Sequence, residues 1–207
     1  MHVIVLRQDM NGFQHVHPEF NSENGYFTLK DLTLPTDGSY ILYFDFTPKN
    51  GEPIVLFEGI AVGDSSKNSK PNLTLSQSPQ IVDKFSVQLG NLEEKKIFKS
   101  GEETKVTFHI NGKENQPIEH VENYLGAKGH LVIIKEGSLD YIHAHPEEKK
   151  IVAAYNDIPF NVHFPVPGKY KLFLQFQYWG KVYTTEYVVE VVPGDTNTAP
   201  SEHMIHQ

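Results

Sequence analysis

The 207-residue sequence contains no cysteine and only one tryptophan. The absence of cysteine excludes disulfides, thiolate zinc sites, iron–sulfur clusters and cysteine nucleophiles. It also excludes a blue-copper centre, because the ligands of that centre include a thiolate. Any metal site in this chain must therefore be built mainly from nitrogen and oxygen ligands.

Long apolar runs and clusters of basic residues are also missing. No stretch approaches the roughly 20 apolar residues of a membrane-spanning helix, and residues 1–7 lack the basic region and cleavage site of a signal peptide. The formal net charge is -8, whereas nucleic acids and anionic membrane surfaces are bound by clustered positive charge. We therefore expect no nucleic-acid partner and no insertion of this chain into a membrane.

What the sequence does contain is a series of short runs rich in β-branched and aromatic residues. Glycine, proline, asparagine and aspartate separate these runs, and no window has a convincing helical period. We predict strands at 2–7, 12–17, 26–33, 39–46, 53–62, 83–89, 104–110, 129–135, 139–145, 157–163, 168–178 and 181–192. This spacing favours an all-β chain with antiparallel β-sandwiches of immunoglobulin-like or cupredoxin-like type.

An internal repeat divides the chain. Residues 2–7 (HVIVLR) and 13–19 (FQHVHPE) recur as residues 130–135 (HLVIIK) and 141–147 (YIHAHPE), at an offset of 128. A second block recurs at an offset of 130, with residues 34–44 matching residues 164–174. The chain therefore consists of two diverged copies of one module that differ by a two-residue insertion.

The two copies are not equally complete, because strand-like segments precede His130 but not His2. We predict two tandem sandwich domains, of which the first lacks its N-terminal strands. The predicted boundaries are 1–64 for the first repeat, 65–76 for a polar linker, 77–193 for the second repeat and 194–207 for a flexible tail. We expect upstream residues, a second copy or another protein to cover the first domain's sheet edge, since bare edges are commonly protected.

Each repeat carries three histidines with the spacing His-x12-His-x-His. The predicted ligands are His2, His15 and His17 in the first repeat, and His130, His143 and His145 in the second. A turn between the two strands indicates a β-hairpin, and a turn centred near residue 137 places position 130 opposite about 144. Residues i and i+2 of a strand share a face, and cross-strand neighbours have Cβ atoms about 4.5–5.5 Å apart. Three imidazoles can then converge on one ion and leave the fourth coordination position open.

The type of ligand restricts which metal ions can bind. Sites made of imidazole nitrogens suit Cu(II), Zn(II) and Ni(II), and copper has the highest affinity in the divalent series. Cu(II) is therefore the first choice and Zn(II) the second. Binding requires neutral imidazoles, so it should weaken as the pH falls through the ordinary histidine range near about 6.5. The second triad is the stronger prediction, because it lies in the complete module.

Two other interpretations stay open. In the first, the histidines bond to backbone carbonyls, and the chain is a non-catalytic sandwich that works through protein contacts. In the second, three histidines and an open position support zinc-dependent hydrolysis. We expect no enzyme, because the sequence shows no partnered base and no oxyanion-stabilising group.

The same segments resemble a known group of proteins. Residues 1–5, 13–19, 124–132 and 164–177 are similar to bacterial exported proteins with YtkA-like, cupredoxin-like or immunoglobulin-like modules. The resemblance covers most of residues 1–64 and 104–192. It implies a cell-envelope or secreted location and an association with copper or heavy-metal handling.

Overall fold

The computed structural model describes residues 1–30, 32–64, 70–119, 121–138, 140–144, 146 and 156–194. Their regular secondary structure is almost entirely β strand, so the predicted all-β class is confirmed. The chain divides into two compact units, Met1–Asn72 and Leu73–Gln207.

The first unit contains one four-stranded antiparallel sheet and a small separate hairpin. The sheet has the strand order β2-β1-β5-β6, and β3 pairs with β4. The strands are β1 (His2–Arg7), β2 (Gln14–Val16), β3 (Glu19–Phe20), β4 (Phe27–Thr28), β5 (Gly38–Phe46) and β6 (Ile54–Val62).

The second unit contains two sheets, with the orders β13-β10-β8-β7 and β12-β11-β14-β15-β9. The strands are β7 (Gln80–Val82), β8 (Phe85–Leu89), β9 (Phe98–Lys99), β10 (Glu103–Gly112), β11 (His130–Lys135), β12 (Tyr141–Ala144), β13 (Asp157–His163), β14 (Gly168–Tyr178) and β15 (Lys181–Val192). A short helix, α1 (Gly90–Glu93), follows β8, and a 3₁₀ helix (Lys113–Asn115) follows β10.

The core of the second unit lies between its two sheets. In the middle of β10, Val106, Phe108 and Ile110 are buried and alternate with half-buried residues, because alternate side chains of a strand point to opposite faces. Phe108 of this strand contacts Phe160 of the same sheet and Tyr187 of the other sheet, with ring centroids 6.0 and 5.9 Å apart. The two apolar faces thus enclose one hydrophobic cluster, which makes the second unit a β-sandwich.

The first unit has only one of these two layers among its described residues. Its sheet corresponds to β12-β11-β14-β15, and no described strand of the unit precedes β1 as β8 and β10 precede β11. Tyr40 pairs with Ile60 in the first unit, and the equivalent Tyr170 pairs with Val189 in the second. Two residues before these partners, the fully buried Tyr187 of the second unit therefore corresponds to Glu58 of the first. A smaller cluster forms where Leu32 and Leu34 pack with the buried residues Val3, Val5 and Tyr40.

The repeat extends to the details of one turn. The Tyr40 hydroxyl donates a hydrogen bond to the Thr36 carbonyl at 2.8 Å, and the Tyr170 hydroxyl donates to the Val166 carbonyl at 2.7 Å. Two residues before each tyrosine, Gly38 and Gly168 have φ values of 137° and 143°. Residues with a side chain rarely adopt such values, which explains glycine at this position in both repeats.

Several predicted boundaries differ from the structure. Among the described residues of the predicted strand 26–33, only Phe27–Thr28 pairs, and Leu32 packs onto the small core instead of joining a ladder. The two-residue strand Phe98–Lys99 was not predicted, since it depends on parallel pairing with the distant Val191 and Val192. The short helices were not predicted either.

The predicted linker 65–76 is partly a component of the second unit. Residues 65–69 lie outside the described residues, whereas Leu73 accepts a hydrogen bond from Lys169 Nζ at 2.8 Å through its carbonyl. The Ser76 amide donates to the Val188 carbonyl at 2.9 Å. Of the predicted tail 194–207, only Gly194 is described. The described part of the chain contains no helix long and apolar enough to span a membrane.

Candidate metal centres

The first hairpin places three histidines on one face. Ile4 lies directly opposite His15, and directly opposed residues of an antiparallel pair share a face. His2 lies two residues before Ile4 and His17 two residues after His15, so both continue the same face.

An ion pair stabilises the turn of this hairpin. The guanidinium of Arg7 binds the Asp9 carboxylate through two hydrogen bonds, at 2.9 Å from Nε and 2.5 Å from Nη2. The Asn11 amide also donates to Asp9 Oδ1 at 3.1 Å. These bonds, above all the one from Arg7, lower the pKa of Asp9 to about 2. The carboxylate is therefore ionised at neutral pH and stabilises the turn between the two strands.

The three ring systems of the first triad lie within coordination distance of one another. His2 Nδ1 is 2.9 Å from His15 Nε2 and 2.9 Å from His17 Nε2. One ligand nitrogen from each residue can be chosen so that all three lie within 4.8 Å of one another. His15 is buried and His17 is exposed, so one side of the cluster is open to solvent.

These separations agree with those of nitrogen atoms around one ion. With metal–nitrogen bonds of about 2.0–2.1 Å, two ligands of a tetrahedral ion lie about 3.3 Å apart, and two adjacent ligands of a tetragonal ion about 2.8 Å apart. The first spacing is typical of Zn(II) and the second of Cu(II). The distances in the two repeats span both values, so the ligand type still decides the preferred metal.

The second hairpin has a register that differs by one residue from the predicted register. Position 130 was expected opposite about 144, but Leu131 pairs with Ala144 and Val132 pairs with His143. The Lys135 amide bonds to the Asp140 carbonyl, which centres the turn between residues 137 and 138. The difference is favourable for the site, because the predicted register would have put His130 and His143 on opposite faces.

Within the second triad the structure brings two histidines together. His130 Nδ1 lies 3.3 Å from His143 Nε2, and the His130 side chain is buried whereas that of His143 is half-buried. The third predicted ligand, His145, lies outside the described residues. The same atoms face each other as in the first repeat, namely Nδ1 of the earlier histidine and Nε2 of the later one.

A backbone carbonyl fixes the orientation of His130. Its Nε2 lies 2.9 Å from the Tyr124 oxygen. A carbonyl oxygen only accepts hydrogen bonds, so this contact favours the neutral tautomer with the proton on Nε2 and the lone pair on Nδ1. Metal-binding histidines commonly donate their second ring nitrogen in this way. No sequence pattern indicates this partner, because a backbone oxygen has no residue-type signature.

The other histidines have ordinary roles where they are described. His109 Nδ1 lies within hydrogen-bond distance of Asp157 Oδ1, at 2.6 Å on the neighbouring strand, and His163 is exposed. His120 lies outside the described residues.

One family model matches segments of both repeats. The model of a protein family described as "Domain of unknown function (DUF8832)" matches residues 1–61 and 80–193. No curated protein matches the sequence. A crystal structure of a candidate lipoprotein from Bacillus anthracis resembles 62% of this chain and 100% of its own chain, with 11% sequence identity and a TM-score of 0.35.

Proposed function

The chain belongs to the family described as DUF8832, and we propose that it binds divalent transition-metal ions through its two histidine hairpins. Cu(II) is the first choice and Zn(II) the second. The observation that carries this proposal is the convergence of His2, His15 and His17, whose ring nitrogens meet on one face of a β-hairpin.

A metal ion explains the first triad better than hydrogen bonding among the rings. His2 Nδ1 faces two ring nitrogens at 2.9 Å, but an unprotonated imidazole nitrogen has a single lone pair in the plane of its ring. That lone pair can accept one well-aligned hydrogen bond, not two. An ion at the point of convergence would receive one lone pair from each ring.

The proposed role is sequestration or delivery of the metal in the cell envelope. The resemblance of the two hairpin segments to exported, heavy-metal-associated proteins supports the location. The exposed His17 supports exchange, since one ligand of the first site can be reached from solvent.

Isothermal titration calorimetry of the full chain with Cu(II) and with Zn(II) tests the proposal. We expect stoichiometric uptake that falls by one equivalent in the His2→Ala/His15→Ala/His17→Ala variant, and by one in the His130→Ala/His143→Ala/His145→Ala variant. The matched control, His109→Ala/His163→Ala, should keep full uptake. The absence of uptake, or uptake that both triple variants retain, would contradict metal binding.

A second candidate function is protein interaction through the edge strand β6. Ile54, Val55, Leu56 and Phe57 are 38–55% exposed, although they alternate between the two faces of the sheet. In the described part of the unit, β5 is the only strand paired with β6. Apolar edges of this kind are sites of strand addition, and a second copy of the chain offers the same edge.

Sedimentation velocity distinguishes this function from metal binding. If β6 mediates dimerisation, the chain should dimerise without metal, and Val55→Lys/Phe57→Lys should give a monomer that still binds metal. A monomer at every accessible concentration would argue against self-association.

A further inference from the structure

We propose that Tyr124 is a positioning residue for His130, and that its carbonyl selects Nδ1 of His130 as the ligand atom of the second site. This inference builds on the proposed metal binding only for its last step. The fixed orientation and tautomer of His130 are properties of the metal-free chain.

Tyr124 contacts His130 through both its backbone and its side chain. The carbonyl accepts the Nε2 hydrogen at 2.9 Å, and the phenol ring packs edge-on against the imidazole with centroids 5.6 Å apart. His130 is only 1% exposed. Because water hardly reaches the ring, the carbonyl is the group that satisfies its buried N–H.

A tight turn holds this carbonyl in place. Tyr124 and Ala127 exchange two backbone hydrogen bonds, at 2.7 and 3.1 Å, around Leu125 and Gly126. The φ values of these two central residues are 53° and 89°. Both are left-handed, a combination that a glycine at the second position makes accessible.

Hydrogen bonds connect the Tyr124–Ala127 turn to the β14–β15 hairpin. The Glu122 amide donates to the Gln177 carbonyl at 2.9 Å. The Glu122 carboxylate accepts hydrogen bonds from Gln177 Nε2 at 2.8 Å and from the Gly180 amide at 2.9 Å. Lys128 Nζ closes the segment by donating to the Val121 carbonyl at 2.7 Å. The acceptor is therefore part of a hydrogen-bonded scaffold.

The consequence for metal binding is preorganisation. With Nε2–H held by the carbonyl, Nδ1 of His130 points at Nε2 of His143 at 3.3 Å, and no rotation or change of tautomer is needed before coordination. Loss of such an outer partner typically lowers metal affinity by about 10–100-fold. Tyr124 thus acts on the metal only through His130.

The first test measures the tautomer of His130 in the metal-free protein by ¹⁵N-detected NMR at a pH where the ring is neutral. We expect the Nε2–H tautomer. The Nδ1–H tautomer would overturn the inference. This measurement is independent of metal uptake. If the chain bound no metal, the proposed function would be refuted, and the tautomer of His130 would still test whether Tyr124 positions this ring.

The second test perturbs the turn. Gly126→Val introduces a β-branched residue at a φ of 89°, whereas Gly101→Val places the same residue at a φ of 80° away from His130. In the His2→Ala/His15→Ala/His17→Ala background we expect Gly126→Val to mix the two tautomers and to weaken Cu(II) binding about 10–100-fold. Gly101→Val should change neither property.

An unchanged tautomer and an unchanged affinity in Gly126→Val would overturn the inference. Leu125→Gly loosens the turn without adding a side chain and replaces Gly126→Val if that variant does not fold. The same two measurements apply to it, with the same expected directions.

Discussion

His2 Nδ1 lies 2.9 Å from His15 Nε2, although the two residues are separated by 13 positions in the chain. The contact exists because the β1–β2 hairpin pairs Ile4 with His15, which puts His2 on the same face. The second repeat reproduces the contact between His130 Nδ1 and His143 Nε2 at 3.3 Å. The geometry of both sites therefore depends on the register of a hairpin.

Asp9→Asn should destabilise the first hairpin above about pH 4. The folded-state pKa of Asp9 is about 2, below its ordinary value of 3.8, so ionised Asp9 stabilises the fold above that value. The shift corresponds to about 2 kcal/mol, which solvent screening reduces to about 1 kcal/mol. The difference between variant and wild type should shrink as the pH falls from about 4 to about 2. Amide hydrogen exchange in β1 and β2 measures this difference in stability between variant and wild type.

Glu19→Gln provides the control for that experiment. Glu19 pairs with Lys30 at 2.6 Å, but both side chains are largely exposed, and ion pairs of this kind contribute little. We expect less than about 0.5 kcal/mol at any pH. A pH-independent effect of Asp9→Asn would refute the assigned role of the Arg7–Asp9 pair.

Tyr170→Phe should destabilise the second unit. The phenol of this fully buried residue donates a hydrogen bond to the Val166 carbonyl at 2.7 Å, and its removal leaves that carbonyl without the bond. We expect a loss of about 1–2 kcal/mol in the free energy of unfolding. Tyr40→Phe should have the same effect on the first unit, while the exposed Tyr26→Phe should change stability by less than about 0.5 kcal/mol. Urea denaturation followed by fluorescence and NMR checks these values.

Exchanging the residue types of Tyr187 and Glu58, which occupy equivalent positions, tests whether this position is buried in the second unit and exposed in the first. Tyr187 is fully buried and donates to the Val87 carbonyl at 2.6 Å, whereas the equivalent Glu58 is exposed. Tyr187→Glu should cost more than about 3 kcal/mol, because it buries a charge without a partner. Glu58→Tyr should cost less than about 1 kcal/mol. Equal effects in thermal unfolding would mean that the two positions have equivalent surroundings.

Metal affinity should fall in acid. Each coordinating imidazole must be neutral, so protons compete with the ion below the ordinary histidine range of about 6.5. Between pH 7.5 and pH 5 we expect Cu(II) affinity to decrease by at least about tenfold for each repeat. Calorimetry at the two pH values measures this change, and pH-independent binding would point to ligands other than histidine.

Much of the fold follows from local sequence patterns. The long strands Gly38–Phe46, Gly168–Tyr178 and Lys181–Val192 lie close to their predicted positions, because apolar alternation and flanking turn residues mark them directly. The repeat also identified the paired hairpins, since the spacing of their histidines is the same. The fold class was therefore accessible without coordinates, and the histidine spacing alone makes these residues candidate ligands.

Other features depend on contacts between distant residues. The strand Phe98–Lys99 forms only against Val191 and Val192. The register of the strands at His130 depends on which residues of the turn form hydrogen bonds with each other. A shift of this register by one residue moves every side chain of the strand to the other face. The Tyr124 carbonyl comes to His130 through a turn anchored on Gln177. Local sequence patterns do not predict such tertiary contacts.

Electron paramagnetic resonance of the chain loaded with one equivalent of Cu(II) tests metal binding by the histidine hairpins most directly. We predict a tetragonal signal with hyperfine splitting from several imidazole nitrogens, retained in His109→Ala/His163→Ala. That splitting should be lost when His2, His15, His17, His130, His143 and His145 are all replaced by alanine. The signal of aqueous Cu(II) in the wild type, or an unchanged nitrogen splitting in the six-histidine variant, would contradict it.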